Sequence, residues 1–245
     1  MATRKTRKPA RKARPQRRFS PIGMLLWLRW WAWRLLAVAF LLVVGLVALG
    51  AIANPPTNIY MFTEGRRLGG VEQIWVPMEE IAPVMARAAV AAEDANFCQH
   101  WGFDVEAIRA AIDEGSGRGA STITQQTVKN VYLWHGRLYV RKALEALITP
   151  IVESLWSKRR ILEVYLNVAE FDEGVFGVEA AARHHFNVSA RDLSETQAAR
   201  LAAILPAPKT RSAANPSSFV RQRTRAIRSG AATIRADGRA ACFES

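Results

Sequence analysis

Acidic residues are absent from the first 34 positions of this 245-residue chain, a stretch that holds eleven Lys and Arg residues. The formal net charge of the whole chain is +13, so most of the positive excess lies in this N-terminal arm. Residues 35–210 contain 16 bases and 19 acids and are therefore slightly acidic. A basic arm on a near-neutral body could be a nucleic-acid-binding tail, but the apolar run that follows the arm argues against this, and we expect no nucleic-acid partner.

Charged residues are also absent from the 19 positions between Leu35 and Ala53. As a helix that rises about 1.5 Å per residue, this run would span about 28 Å, close to the roughly 30 Å of a bilayer core. Four tryptophans precede it, as is typical of a membrane interface: Trp27, Trp30, Trp31 and Trp33. The pattern predicts one transmembrane helix over residues 35–53.

The basic arm determines the expected orientation of this helix. The positive-inside rule keeps residues 1–34 in the cytoplasm and places the remainder of the chain on the opposite side of the membrane. Attraction of the arm to anionic lipids adds roughly 1 kcal/mol per base near the surface. A cleaved signal peptide is the alternative, because Ala51-Ile52-Ala53 resembles a cleavage site. Both the apolar run and the arm are longer than a signal peptide requires, which favours an anchor.

Cysteine is scarce, since only Cys98 and Cys242 occur. On the oxidising side of a membrane these two residues could form a disulfide that ties the C-terminal tail to the centre of the chain. Two unpaired buried thiols are an equally ordinary outcome, so both alternatives stay open at this stage.

Strand patterns are few, and only residues 71–76 predict a short strand. The segment 54–74 begins with two prolines and is expected to be a connector. Asp104 and the pair Ser194 and Gln197 are expected to cap helices, and Pro150 is expected to bend or interrupt one. Helices are predicted over residues 84–94, 105–114, 122–133, 141–156, 159–169 and 219–234. The sequence thus predicts a mainly α domain over residues 75–210, followed by a basic helical extension over residues 211–245 that would lie on a membrane or an acidic surface.

A candidate catalytic carboxylate lies in the stretch from Ala92 to Phe103. Glu93 and Asp94 end an alanine-rich helical pattern, and a carboxylate at such a junction can face a cleft while the helix keeps its backbone fixed. Solvation of the helix end would explain the two acids equally well.

Polar residues recur with helical spacing further along the chain. Ser121, Gln125 and Lys129 are four residues apart, so their side chains share one helix face that is suited to oxyanions. Glu145 can pair with both Arg141 and Lys142 on the next helix. The alternative is a solvated helix face with ordinary surface ion pairs worth a few tenths of a kcal/mol.

Four motifs in this order resemble a known family, the family 51 glycosyltransferases that polymerise peptidoglycan glycan chains. The resemblance covers about residues 75–209. The first motif is Glu93, Asp94, Phe97, His100 and Gly102; the second is Gly119, Ser121, Thr122, Ile123, Gln125, Gln126, Lys129 and Asn130; the third is Arg141, Lys142 and Glu145; the fourth is Lys158, Ile161, Leu162, Glu163, Tyr165, Leu166 and Asn167.

The chain is more similar to monofunctional members of this family than to bifunctional penicillin-binding proteins. Ser-x-x-Lys does not occur in the sequence, and about 35 residues after the last matched segment leave no room for a transpeptidase domain. The sequence departs from the family's usual pattern at Asp172-Glu173, where a glycine is expected, and at His185, where a tyrosine is common.

The resemblance implies a lysozyme-like helical architecture, a membrane-dipping flap between the first two motifs, and a periplasmic catalytic domain anchored in the bacterial inner membrane. It implies transfer of a lipid-linked glycan to the sugar hydroxyl of lipid II, with inversion and release of polyprenyl diphosphate. The partners would be lipid II, the nascent glycan strand, membrane lipids and other wall-synthesis proteins. No cofactor is obligatory, although a divalent cation, Mg²⁺ or Mn²⁺, would suit the diphosphate.

The resemblance also assigns roles to residues. Glu93 would act as the general base, and Glu145 would be the second essential glutamate. The substrate-binding residues would be Ser121, Gln125, Lys129, Asn130, Arg137, Arg141 and Lys142, and the supporting residues would be Asp94, His100, Glu163 and Asn167.

Two other functions compete with glycan polymerisation. A lysozyme-like, glycan-cleaving enzyme shares the helical fold and a catalytic glutamate, but its leaving group carries no diphosphate that would need Lys129, Arg137 and Arg141. A non-enzymatic scaffold of the wall-synthesis machinery would use the same surfaces for partners.

Overall fold

The computed structural model describes residues 21–115, 121–136 and 138–244. Within them, the first element is helix α1, Pro21–Ile52, and its part from Ile22 to Ile52 is long and apolar enough to cross a membrane. The helix begins before Leu35, so the tryptophans and Arg34 lie on it, with the Arg34 guanidinium 3.5 Å from the Trp30 ring centroid. At about 1.5 Å per residue α1 is about 48 Å long, longer than a bilayer core. The first 20 residues of the basic arm lie outside the described part.

A second compact unit begins at Val44 and contains the rest of the described chain. Its helices are α2 Ile59–Leu68, α3 Pro83–Glu93, α4 Val105–Asp113, α5 Ile123–Tyr132, α6 Tyr139–Leu155, α7 Lys158–Val168, α8 Val178–Phe186, α9 Glu195–Ile204, α10 Ser218–Ala236 and α11 Ala241–Glu244. Its strands are β1 Glu72–Gln73, β2 Glu170–Asp172 and β3 Val175–Phe176, and short 3₁₀ helices cover Met78–Glu80, Ala190–Asp192 and Pro208–Thr210. The prediction of a mainly α fold with one apolar N-terminal helix is confirmed.

Several local expectations from the sequence are met and others are corrected. Asp104 accepts the N–H of Ala107, and Ser194 forms a capping box with Gln197, as expected. Helix α6 continues through Pro150 without ending. The strand expected over residues 71–76 has only two residues, and α2 lies inside the segment expected to be a connector.

The three strands form one small sheet in the order β1-β3-β2, with β1 parallel and β2 antiparallel to β3. Sequence patterns did not predict β2 and β3, because strands of two or three residues are too short to show alternation. The segment that follows β1 is held to α7 through Asn167, whose side chain bonds both the N–H and the carbonyl of Val76 at 3.0 and 2.9 Å.

Helix α10 packs one face against the domain, and the expectation that it lies on a membrane or an acidic surface stays a prediction for its basic faces. Its apolar residues Val220, Ile227 and Ile234 are buried, and the helix packs against α3 and α9. The basic residues occupy its other faces, which explains why the sequence suggested an acidic or membrane partner. Because α10 contacts the helix that ends at Glu93, its side chains can reach the candidate site.

The carboxyl end of α1 belongs to the second unit and is bound to its helices. The Trp156 indole donates to the Val47 carbonyl at 2.8 Å, and the Arg160 guanidinium donates to the carbonyls of Gly50 and Ala53. A Cβ at Gly50 would lie 2.5 Å from the Tyr132 hydroxyl, so only glycine permits this approach. The end of the apolar helix is therefore fixed to α5, α6 and α7.

Cys98 and Cys242 form a disulfide, with their Cα atoms 5.7 Å apart, which confirms the first of the two alternatives. The bond holds α11 beside the loop that follows α3. Phe243 is fully buried 6.4 Å from the Phe97 ring, and Glu244 pairs with Arg87. The tail is thus part of the support beneath the candidate catalytic loop.

Candidate active site

Glu93 is the last residue of α3, and its side chain is only 12% exposed. Its Oε2 accepts a hydrogen bond from the Gln126 amide at 3.0 Å. Its Oε1 lies 3.7 Å from Nη2 of Arg223 on α10 and has no hydrogen-bond partner among the described residues. One oxygen of a buried carboxylate is thus held, while the other has an unused lone pair.

The environment of Glu93 favours a carboxyl group with basic character. Burial raises the pKa of the Glu93 carboxyl above its ordinary value. The hydrogen bond from Gln126 and the charge of Arg223 oppose this rise in pKa. The charges of Lys129 and Arg211 oppose it further. A carboxyl group whose pKa is raised by burial, while nearby cations limit that rise, is suited to act as a general base.

Asp94 follows Glu93 and holds the loop in place. Its two oxygens accept the Ile123 backbone N–H at 2.9 Å and His100 Nε2 at 2.7 Å. The Asp94 side chain is 2% exposed, so both of its oxygens are committed to these contacts. The end of α3 is therefore tied directly to the start of α5.

A second set of contacts holds the loop against the start of α5 and against α6 and α7. Thr122 donates its hydroxyl to the Gly102 carbonyl at 2.7 Å, and Lys158 donates to the His100 carbonyl at 2.9 Å. Lys158 also pairs with Glu153 at 2.8 Å. These contacts explain why a motif residue on α7 belongs with the loop after α3.

A cationic group is organised by Glu145, which is 2% exposed. Arg141 donates to its Oε2 at 2.7 Å, and Lys142 pairs with its Oε1. Lys142 also donates to the Ser121 hydroxyl at 3.0 Å, which connects the start of α6 to the turn before α5. The i,i+3 and i,i+4 pairs expected from the sequence are present, and they are shielded from solvent on the Glu145 side.

Lys129 is buried within electrostatic reach of both carboxylates, Glu145 and Glu93. Burial lowers the pKa of its ammonium group, and the charges of Arg141 and Lys142 lower that pKa further. The charges of Glu145 and Glu93 oppose this lowering. The described residues provide no hydrogen bond or ion pair to the Lys129 ammonium, so this cation is available to an anionic ligand.

Two cavities of about 370 Å³ each meet at the hydrogen bond between Glu93 and Gln126, since each of these residues lines one of them. The first cavity is lined by residues that include Glu93, Asn96, Asp104, Ser121 and Thr122. The second is lined by residues that include Gln126, Lys129, Asn130, Tyr165, Glu170 and Lys209. The arrangement places a candidate base at the boundary between two binding spaces, one of which contains a buried cation.

The remaining predicted site residues lie away from both cavities or outside the described chain. Gln125 is 4% exposed and completes a capping box with Thr122, so its side chain serves the helix end and the geometry does not support a donor-lining role. Glu163 accepts the Met78 N–H at 3.2 Å, and Asn167 holds the segment around Val76; both are structural. Arg137 lies outside the described residues.

Two residues of the site, Gln126 and Arg223, were not in the predicted set. Thr122-x-x-Gln125 is a capping-box pattern, and reading it would have assigned Gln125 to the cap and left Gln126 to face Glu93. Arg223 has no comparable signal, because its contact with Glu93 depends on how α10 packs on α3.

Comparison with known proteins agrees with this geometry. Residues 63–231 match the family described as "Transglycosylase". A "Biosynthetic peptidoglycan transglycosylase" of Jannaschia sp. is 61% identical over 215 residues, covering 88% of this chain and 90% of the relative. Proteins of the same description from Caulobacter vibrioides and Pseudomonas fluorescens SBW25 are 45% and 54% identical, covering 85% and 69% of this chain and 94% and 72% of those relatives.

The fold and the site therefore define a helical glycosyltransferase. More particularly, the chain belongs to the transglycosylase family, which confirms the resemblance drawn from its four motifs.

We predict that Gly102→Ala destabilises the protein more than Gly115→Ala. Both glycines have positive φ, +81° and +60°, so alanine costs about 1–2 kcal/mol at either position. At Gly102 a Cβ would also lie 2.6 Å from Thr149 Cγ2, and such overpacking adds about 1–3 kcal/mol. Nothing lies within 4 Å of a Cβ at Gly115, which makes it the matched control. Urea unfolding followed by circular dichroism measures both, and equal losses would contradict the packing of the loop against α6.

Proposed function

We propose that this glycosyltransferase is a peptidoglycan transglycosylase of cell-wall synthesis that transfers a lipid-linked growing glycan to the sugar hydroxyl of lipid II. The observation that carries the proposal is the position of Glu93 at the boundary of two cavities, with Lys129 in the lining of one and Lys142 bonded to Ser121 in the lining of the other. The names of the relatives support the substrate class. Inversion at the anomeric carbon and release of polyprenyl diphosphate are the finer parts of the proposal.

Glu93 is assigned the role of general base. Its Oε1 carries the unused lone pair, so this oxygen would take the proton of the acceptor hydroxyl as that hydroxyl attacks the anomeric carbon. Gln126 would keep the carboxylate oriented through Oε2. Arg223 is assigned as a positioning residue that keeps Glu93 ionised until the proton arrives.

The cationic group is assigned to the leaving diphosphate. Negative charge develops on that diphosphate as the glycosidic bond breaks, and preorganised cations stabilise it most strongly where water is excluded. Lys129 has no partner among the described residues and would bind the phosphate directly. Glu145 would hold Arg141 and Lys142 in place, which is how a second glutamate becomes essential without meeting the sugar.

A divalent cation could assist the cationic residues in binding the leaving diphosphate. Both oxygens of Glu145 are engaged by Arg141 and Lys142, so this carboxylate is a poor ligand unless it releases a cation. Mg²⁺ keeps several waters and binds phosphates readily, and Mn²⁺ shares its preference for oxygen ligands. Either ion would therefore bind chiefly through the diphosphate of the substrate.

The apolar helix α1 suggests membrane anchoring, and the basic arm supports a cytoplasmic N-terminus with the catalytic unit on the periplasmic face of the inner membrane. The hydrogen bonds from Trp156 and Arg160 to the end of α1 would then hold the catalytic unit close to the membrane surface. This position suits substrates whose lipid tails stay in the bilayer.

Glu93→Gln is expected to abolish chain growth while leaving the fold intact, because glutamine keeps the size of the side chain and cannot accept the proton. Loss of a general base costs roughly 10²–10⁴-fold in rate. Incubation with lipid II in detergent, followed by gel analysis of the glycan products, measures the effect.

The same assay on the wild-type protein separates the three candidate functions. A product ladder supports polymerisation, fragments released from added sacculi would indicate a lytic enzyme, and neither product would indicate a scaffold. A ladder of wild-type intensity from Glu93→Gln would remove Glu93 as the base.

Arg223→Ala is expected to shift the acidic limb of the pH–rate profile to higher pH. The base works when Glu93 is ionised, so activity is lost as pH falls through the pKa of Glu93. Removing a cation that lowers this pKa raises it further, and the rate therefore falls at a higher pH than in the wild-type protein. The measurement is kcat/KM for lipid II across pH. Arg228→Ala is the control, since Arg228 lies on the same helix and pairs with Glu195. An unshifted limb in Arg223→Ala would exclude the assigned role.

A further inference from the structure

Asp172, His184 and His185 form a compact group at the junction of β2 and the last turn of α8. Asp172 Oδ2 lies 3.4 Å from His184 Nε2 and 3.9 Å from His185 Nε2. One ligand atom from each of the three residues lies within 4.8 Å of the other two. None of these residues lines either cavity of the active site, so the proposed transferase chemistry does not explain them.

The spacing of these atoms fits a four-coordinate metal ion. Zn²⁺ binds imidazole nitrogen and carboxylate oxygen at about 2.0–2.2 Å in tetrahedral sites, so the ligand atoms of such a site are about 3.3–3.6 Å apart. The 3.4 Å between Asp172 Oδ2 and His184 Nε2 falls within this range. The Phe171 carbonyl oxygen lies 3.3 Å from His185 Nε2, also within this range, and offers a fourth ligand atom. The separation of 3.9 Å between Asp172 and His185 requires a contraction of only a few tenths of an ångström.

The surroundings of the three residues orient the Asp172 carboxylate toward the histidines and leave two of the three side chains exposed to solvent. Asp172 Oδ1 accepts the backbone N–H of Glu173 at 2.7 Å, so the carboxylate is oriented with Oδ2 toward the histidines. The His185 imidazole is 3% exposed, whereas the side chains of His184 and Asp172 are 42% and 34% exposed. One ligand is therefore fixed in the protein, and an ion can approach from the side of the other two.

The donor set discriminates among ions. Two imidazoles and a carboxylate suit Zn²⁺, Cu²⁺ or Ni²⁺, whereas Mg²⁺ and Ca²⁺ prefer oxygen ligands alone. A second group of similar residues, Asp94, His100 and Asp104, does not compete well. Asp94 is bound to Ile123 and His100, and Asp104 caps α4 and accepts from Asn96.

We propose that Asp172, His184 and His185 bind one Zn²⁺-class divalent cation, with the Phe171 carbonyl as a fourth ligand. The ion would connect the end of β2 to the end of α8, and it would stabilise the folded state by an amount that grows with the logarithm of its concentration above the dissociation constant. Asp172 and His185 are also positions at which the sequence departs from the usual family pattern, so the site is a property of this chain. It does not depend on the proposed function.

Titration with Co²⁺ tests the site directly, because four-coordinate Co²⁺ has visible absorption that six-coordinate Co²⁺ nearly lacks. The protein is the full-length, untagged chain in detergent, freed of metal by EDTA and then of EDTA. We expect one Co²⁺ per chain with the four-coordinate spectrum, displacement of Co²⁺ by Zn²⁺, and a higher thermal midpoint in Zn²⁺. His184→Ala and Asp172→Asn are expected to weaken binding at least about ten-fold, since even outer partners of a ligand have effects on this scale.

His135→Ala is the matched control, because it removes a histidine that is exposed and stacks on Tyr60 outside the group. It should retain the wild-type Co²⁺ spectrum. Because His184 is exposed, His184→Ala is expected to fold and to keep the helical circular dichroism of the wild-type protein. If Asp172→Asn fails to fold, His184→Ala alone tests whether the group binds the metal ion. Absence of the four-coordinate spectrum in the wild-type protein, or its persistence at full strength in His184→Ala, would overturn the proposal.

Discussion

The carboxylate of Asp94 is the contact on which the rest of the site depends. It joins the end of α3 to the first backbone N–H of α5 and to His100, with both oxygens shielded from water. Without it, a buried N–H and an imidazole would lose their partner, at a cost of about 1–3 kcal/mol for the unsatisfied N–H alone. Because Glu93 ends α3 and Gln126 lies in the first turns of α5, this one bridge sets the distance between them. The neighbouring acid thus has a structural role, and of these two acids Glu93 is the one with an oxygen that accepts no hydrogen bond from a described residue.

Burial of Glu93 involves elements distant in the sequence. Helix α10 covers α3 and supplies Arg223, while the disulfide holds α11 beneath the loop. These contacts exclude water, which raises the pKa of Glu93, and they supply cations that limit the rise. Around Glu145 the roles are reversed: one buried carboxylate lies between Arg141 and Lys142, two cations that would otherwise repel each other. Glu93 is therefore balanced by cations from other segments of the chain, whereas Glu145 is balanced by Arg141 and Lys142 of its own helix.

Local sequence patterns predicted much of this structure. Helices α3 to α7 and α10, the Asp104 cap, the Ser194 capping box and the pairing of Glu145 with Arg141 and Lys142 follow from spacing along one segment. Gln125, which the resemblance assigns to substrate binding, completes the capping box with Thr122, whereas Gln126 points toward Glu93, because adjacent side chains point about 100° apart on a helix. Strands β2 and β3 and the reach of Arg223 could not be predicted, since they depend on contacts between remote segments.

In the proposed mechanism Glu93 accepts the proton of the acceptor hydroxyl, and Lys129 binds the leaving diphosphate. Calorimetric titration with a soluble prenyl diphosphate tests it on the wild-type protein, Lys129→Met and Glu93→Gln. The claim predicts that Lys129→Met weakens binding by roughly 10–100-fold, as expected for a lost hydrogen bond to a charged group, while Glu93→Gln leaves the affinity within about two-fold. Unchanged binding by Lys129→Met, or an equal loss in Glu93→Gln, would contradict it.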